Sequence, residues 1–242
     1  MSAEAFLTLH RNLPREGPGE PADVEWVGTQ ITLPENARIC DNACGPGADI
    51  GPLLALAPGA HVTAIDHHPQ FLGQASEEWA GDARVDIAMG DMRTPGGPYD
   101  LIWCAGAVYM LGVRQALEMW RDSLAPGGVI AFSEPCFFKE PPESEVVEIW
   151  AEYPQMSGAS GIDARVRAAG YETVATRKLS DNAWRAYYGP LLARMEELYP
   201  DADDDLRAVL AAHAGEIKAW DEYGDDFGYL LSIVRPVSSQ TA

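Results

Sequence analysis

The chain has 242 residues, enough to bury a sizeable core, and no shift in composition divides it into independent globules. Its 37 acidic against 17 basic residues give a formal charge of −20, which repels a phosphate backbone and excludes nucleic acid as the expected partner. A hydrophobic fraction of 47% is ordinary for a globular protein, and no apolar run approaches the roughly 20 residues that span a bilayer, so no membrane partner is expected.

Met1 to His10 lacks the basic start and long apolar stretch of a secretory signal, so the expected compartment is the cytoplasm. The sequence is compatible with a monomer or a homodimer. Of the four cysteines, Cys40 and Cys44 stand at i, i+4, but one falls in an apolar strand and the other in a Gly-Pro-Gly loop. With no CxxC pair or His/Cys cluster, reduced, packed thiols are expected and no metal.

The predicted elements begin with a short helix over Phe6 to His10, running into the proline- and glycine-rich turn Leu13-Pro-Arg-Glu-Gly-Pro-Gly19. From residue 37 the chain alternates. Strands are expected at Arg38 to Asp41, His61 to Asp66, Val85 to Met89, Tyr99 to Cys104 and Gly128 to Ser133, with helices at Ile50 to Ala57, Pro69 to Trp79 and Arg114 to Leu124. Such spacing indicates βαβ units and a parallel sheet covered on both faces. Beyond Pro135 come helices at Glu143 to Trp150 and Gly161 to Gly170, a strand at Tyr171 to Leu179, helices at Pro190 to Tyr199 and Asp203 to Tyr223, and a final strand at Phe227 to Arg235. Leu192, Met195 and Tyr199, then Leu206, Val209, His213, Ile217 and Trp220, are expected on inward helical faces.

The predicted fold class is α/β: a Rossmann-like, seven-stranded, mostly parallel sheet with one antiparallel strand, helices on both faces and a helical lid insertion. Residues 1–36 form an N-terminal helical cap segment, 37–135 the ligand-binding core, and 136–242 the acceptor-side helices and lid with the last two strands of the same sheet. Ligands in an open α/β sheet sit beyond the carboxyl ends of the strands, which points to Asp41, Asp66, Asp91 and Cys104. Glycine in Asp41-Asn42-Ala43-Cys44-Gly45-Pro46-Gly47 lets the backbone approach a ligand, and Asp66 follows at the distance expected of a ribose-binding acid. A nicotinamide oxidoreductase shares these features, but its G-x-G-x-x-G meets Ala43, Gly45 and Ala48 here.

The ordered series is more specific. Asp41 to Gly47, the strand-ending Asp66, Gly90-Asp91-Met92, and Leu124-Ala-Pro-Gly-Gly128 together resemble the motifs of class I S-adenosylmethionine-dependent methyltransferases. Leu13 to Gly19, Trp184-Arg-Ala-Tyr-Tyr-Gly-Pro190 and the last strand are similar to a bacterial small-molecule methyltransferase subgroup. The resemblance implies that S-adenosylmethionine binds and S-adenosylhomocysteine leaves. Asp41 and the Ala43 backbone, flanked by Asn42 and Cys44, would hold the methionine ammonium, and Gly45 would let the loop close. Asp66 would accept from both ribose hydroxyls, with His67 beside the adenine. Asp91, after Gly90, would accept from the adenine amino group while the Met92 amide donates to the ring. Cys104 and Ala105 would offer backbone contacts near the methionine portion, and Arg15 would pair with its carboxylate. Family members usually have glycine where this chain has Ala43.

Methyl transfer from a sulfonium is an in-line displacement with a good leaving group, so a general base is optional. The candidates are Glu134 at the fifth strand's end, placed first, then Tyr109, Tyr188 and His10. Aromatic residues after Pro135, among them Trp150, Trp184, Tyr187 and Tyr188, are available to line a pocket for a small, partly apolar or cationic acceptor. The expected function is methyl transfer to a small-molecule acceptor, with a non-catalytic S-adenosylmethionine-binding protein as the alternative.

Overall fold

A computed structural model describes residues 2–237. Strand β1 (Arg38–Asn42) pairs in parallel with β2 (His61–Asp66) and β4 (Tyr99–Cys104), β3 (Val85–Met89) flanks β2, and β5 (Leu124–Phe137) flanks β4. The two-residue strand β6 (Ser157–Gly158) pairs with the end of β5. Strand β8 (Phe227–Pro236) then inserts antiparallel between β5 and β7 (Tyr171–Lys178), giving the order β3-β2-β1-β4-β5-β8-β7. This is the mostly parallel sheet with one antiparallel strand that the sequence predicts, extended by β6.

Helices cover both faces because the strand residues alternate. In β4, Leu101 and Trp103 enter one core with β1 Ile39, β2 Val62 and β8 Leu231, while Ile102 and Cys104 enter the other with Phe132 and Leu230. The first core is covered by α1 (Ala3–Leu9), α2 (Pro21–Gln30), α3 (Ile50–Leu54), α8 (Asp181–Leu198) and α9 (Asp204–Tyr223), through residues such as Leu9, Val24, Leu53, Leu191 and Val209. The second lies under α5 (Val113–Trp120) and α7 (Ala159–Ala168). Two further helices, α4 (Pro69–Glu78) and α6 (Ser144–Ile149), complete the set among the described residues.

Three expectations are corrected. Helix α2 was not foreseen; its start is fixed by Pro21 in the first turn and by reciprocal Glu20 and Asp23 bonds. Helix α8 begins at Asp181, where the Ser180 side chain accepts from the Ala183 amide, and it carries Pro190 in its interior instead of starting there. This earlier start turns Trp184, Tyr187, Tyr188, Leu191 and Met195 inward and leaves Leu192 and Tyr199 exposed. The four cysteines are free and buried, as expected. The carboxyl ends of β1, β2 and β4 lie together, and α1, α8 and α9 pack beside them.

Candidate active site

The loop after β1 turns on left-handed backbone. Ala43 has φ 66° and Gly45 φ 54°, so the alanine keeps the conformation that glycine adopts freely, at a steric cost of about 1–2 kcal/mol. The Cys44 amide donates to the Ile65 carbonyl and the Gly45 amide to Asp66 Oδ2, each at 2.9 Å. The loop is thereby stapled to the end of β2. Asp66 Oδ1 accepts from the His68 amide at 2.9 Å and lies 3.2 Å from His68 Nδ1, so Oδ2, with one donor, is the oxygen that retains capacity for another.

This loop forms one wall of a cavity of about 180 Å³, together with Arg15, Asp41, Asp49, Phe71, Ala105 and Tyr109. Asp41 is buried in that wall and its Oδ2 has no hydrogen-bond partner. Burial, then the charges of Asp49 and Asp66, push its pKa well above the usual carboxylate range against the opposing pull of Arg15. A buried, unpartnered acid is a site for a donor-rich cation, which would satisfy the oxygen and restore its charge. Arg15 lies opposite, with Nη2 donating to Asp49 Oδ1 at 3.0 Å and Nε to the Gly17 carbonyl at 2.8 Å. The other oxygen of Asp49 accepts from Trp103 Nε1 at 2.9 Å.

Past Asp66 the cavity continues into a more open recess of about 360 Å³ lined by His67, Gly90, Asp91, Met92 and Leu111. The Met92 carbonyl is fixed by Asn42 Nδ2 at 3.0 Å and Trp120 Nε1 at 2.6 Å. Asp91 is exposed and held by Arg93, whose hydrogen bonds pull its pKa down to about 2. Among the described residues, Asp66, His67 and His68 place three ligand atoms within 4.8 Å of one another.

On the other side a second cavity of about 200 Å³ shares Phe6, Glu16, Gly106 and Tyr109 with the first and is enclosed by His10, Trp150, Trp184, Tyr187, His213, Glu216 and Tyr229. Of the predicted cofactor residues, Arg15, Asp41, Ala43, Cys44, Gly45, Asp66, His67, Met92 and Ala105 line the first cavity, and Gly90 and Asp91 the recess. Asn42 and Cys104 are fully buried and line neither. Asn42 acts on the site through Met92.

The proposed bases separate in the same way. Tyr109 stands at the junction of the two cavities and His10 lines the second. Glu134 lies in neither: it is buried on β5, accepts from Tyr153 Oη at 2.5 Å, and has its pKa pushed up to about 7 by burial. Tyr188 is also outside the cavity walls, its hydroxyl donating to Glu216 Oε1 at 2.9 Å. Glu16, Asp49, Trp120, His213 and Glu216 were not singled out from sequence. Glu16 was the legible one, since it stands beside Arg15 in the turn already identified.

Comparison with known proteins agrees with this geometry. A family model described as a methyltransferase domain matches residues 39–128. Trans-aconitate 2-methyltransferase of Streptomyces avermitilis is 39% identical over 111 residues, 43% of this chain and 41% of that protein. The enzyme of the same description from Streptomyces coelicolor is 28% identical over 214 residues, 84% of this chain and 71% of that protein. The chain thus spans less than half the length of the first of these relatives and about seven tenths of the second. Among solved structures, a SAM-dependent methyltransferase from Geobacter sulfurreducens in complex with S-adenosyl-L-homocysteine superposes with a TM-score of 0.81 at 22% identity, covering 98% of this chain and 99% of that one. A counterpart from Thiobacillus denitrificans gives 0.81 at 21% identity, covering 98% and 99%. No helix among the described residues is long and apolar enough to cross a membrane.

Proposed function

We propose that the chain is a class I S-adenosylmethionine-dependent methyltransferase and that it transfers the methyl group of that cofactor to a small-molecule acceptor. The observation that carries this reading is Asp41 Oδ2, buried and unpartnered in a cavity wall, with the Asp66 carboxylate on the same wall beyond the Gly45 loop. The residues present fit the cofactor. Asp41 would hold its ammonium, Arg15 its carboxylate and Asp66 the ribose, while His67, Asp91 and the Met92 amide would take the adenine. When bound, the cofactor supplies a methyl group on a positively charged sulfur.

The chain's own contribution is then alignment and exclusion of water. Phe6, Gly17 and Pro18 close both cavities from the N-terminal side, and Tyr109 stands where they meet. Residues 37–135 form the cofactor core, and among the described residues 2–36 with 136–237 enclose the acceptor. We place the protein in the cytoplasm, as a monomer or homodimer. The test is to incubate it with methyl-labelled S-adenosylmethionine and a deproteinised metabolite extract. Label is expected to move into a small organic product. Cofactor binding without any movement of label would instead favour a binding protein.

A further inference from the structure

The cavity beyond Tyr109 is rich in aromatic surface and acid. Tyr109, Trp150, Trp184, Tyr187 and Tyr229 form its walls, and Glu16 and Glu216 are its carboxyl groups. No lysine or arginine lines it. A polycarboxylate entering this space would meet two carboxyl groups and neither an ammonium nor a guanidinium side chain. An ammonium ion would meet aromatic faces and opposite charge, both favourable when partly desolvated.

A hydrogen-bonded chain ends in the same cavity. His10 Nδ1 lies 2.5 Å from Glu16 Oε2, His10 Nε2 lies 3.1 Å from His213 Nε2, and His213 Nδ1 lies 2.9 Å from the Val209 carbonyl. A carbonyl only accepts, so His213 Nδ1 carries a proton, and each of the other two contacts needs one more. Three protons fit in three ways: a neutral Glu16 carboxyl with neutral imidazoles, or a Glu16 carboxylate with either His10 or His213 as imidazolium. These differ only by movement of protons along the chain. Glu16 faces His10 and His213 and feels the charge of Asp66, while Tyr109 and Tyr187 line the same space and Glu216 acts on His10 from α9. Burial, then Asp66, pushes the Glu16 pKa up to about 9 with His213 opposing, so the first arrangement holds at neutral pH until a cation enters. The remaining oxygen, Glu16 Oε1, is buried without a partner.

We propose that the acceptor is a small organic amine, held as its ammonium ion among these rings and acids, and that Glu16, coupled through His10 to His213, takes up the proton its nitrogen releases. This rests on the methyl-transfer reading and narrows it. The ammonium draws the shared proton toward His213, leaving Glu16 as the carboxylate. One N–H proton then passes to Glu16 Oε1. The freed nitrogen pair forms the N–C bond as the C–S bond breaks with its electrons remaining on sulfur, and the product leaves as the N-methylated ammonium.

The test uses wild-type protein saturated with S-adenosylhomocysteine, that saturation being measured first in the same calorimeter. Failure to saturate would count against the methyl-transfer reading itself. The saturated protein is then titrated with phenethylammonium chloride and, separately, with trans-aconitate. The amine is expected to bind at least about tenfold more tightly, a difference of about 1.4 kcal/mol. Trans-aconitate binding equally or more tightly, or no measurable binding of either, overturns the proposal. Glu16→Gln is expected to keep amine binding within a few-fold and to lose about 100-fold or more in N-methylation. Wild-type turnover in that variant would remove Glu16 as the base.

Discussion

The Gly45 amide donates to Asp66 Oδ2 at 2.9 Å, which ties the loop after β1 to the acid at the end of β2. Asp66→Ala removes both the staple and the proposed acceptor for the ribose. It is expected to weaken S-adenosylhomocysteine binding at least about tenfold, since each hydrogen bond to a charged group contributes about 1.5–3 kcal/mol. Asp66→Asn keeps an oxygen for the Gly45 amide and is expected to lose less. Calorimetry of both variants checks the order.

Ala43 holds φ 66° without being glycine. Ala43→Gly relieves about 1–2 kcal/mol of backbone strain and gives back about 0.4–1 kcal/mol through the freer unfolded chain. The net expectation is a gain of about 0.5–1 kcal/mol, readable as a rise in the denaturant midpoint, with cofactor affinity preserved. Ala43→Val, β-branched at the same φ, is expected to lose stability.

Glu134 is a carboxyl kept protonated by burial, with its pKa raised from 4.5 to about 7. A raised acid binds more protons folded than unfolded, so its contribution is fully present below about pH 4.5 and is lost as pH rises to about 7. Glu134→Gln leaves Tyr153 an acceptor and removes the titration. Its stability is expected to match wild type near pH 4 and to exceed it at pH 8 by up to about 3 kcal/mol. Because Glu134 lines neither cavity, methyl transfer is expected to continue in this variant. Melting curves at the two pH values and a turnover assay check both statements.

His213 touches neither the cofactor cavity nor the loop after β1, and it reaches the site only through His10 and the acceptor cavity. His213→Gln interrupts the chain behind Glu16. Cofactor affinity is expected to be unchanged, while kcat falls about 100-fold and the acid limb of its pH profile shifts. A fall confined to KM, with an unaltered profile, would assign His213 to packing alone.

The Rossmann-like core was legible because strand-ending acids and glycine turns mark β1 to β5 locally, and Asp41, Asp66 and Asp91 stand at strand ends or just beyond them. The acceptor side was not. His10 and His213 meet across 203 residues, and nothing near either one announces the other. Pro190 looks like a helix start, whereas the cap of α8 is Ser180, and the proline sits in the helix interior. Glu134 stands at a plausible strand end, yet antiparallel pairing with Leu230 carries β5 on to Phe137 and buries the acid beneath Tyr153.

The Asp41 to Gly47 loop and Asp66 are proposed to bind S-adenosylmethionine. Calorimetric titration of the wild-type protein with S-adenosylhomocysteine tests this most directly. Single-site binding with a Kd on the order of micromolar is predicted, corresponding to about −8 kcal/mol. Absence of heat with both S-adenosylhomocysteine and S-adenosylmethionine would contradict it.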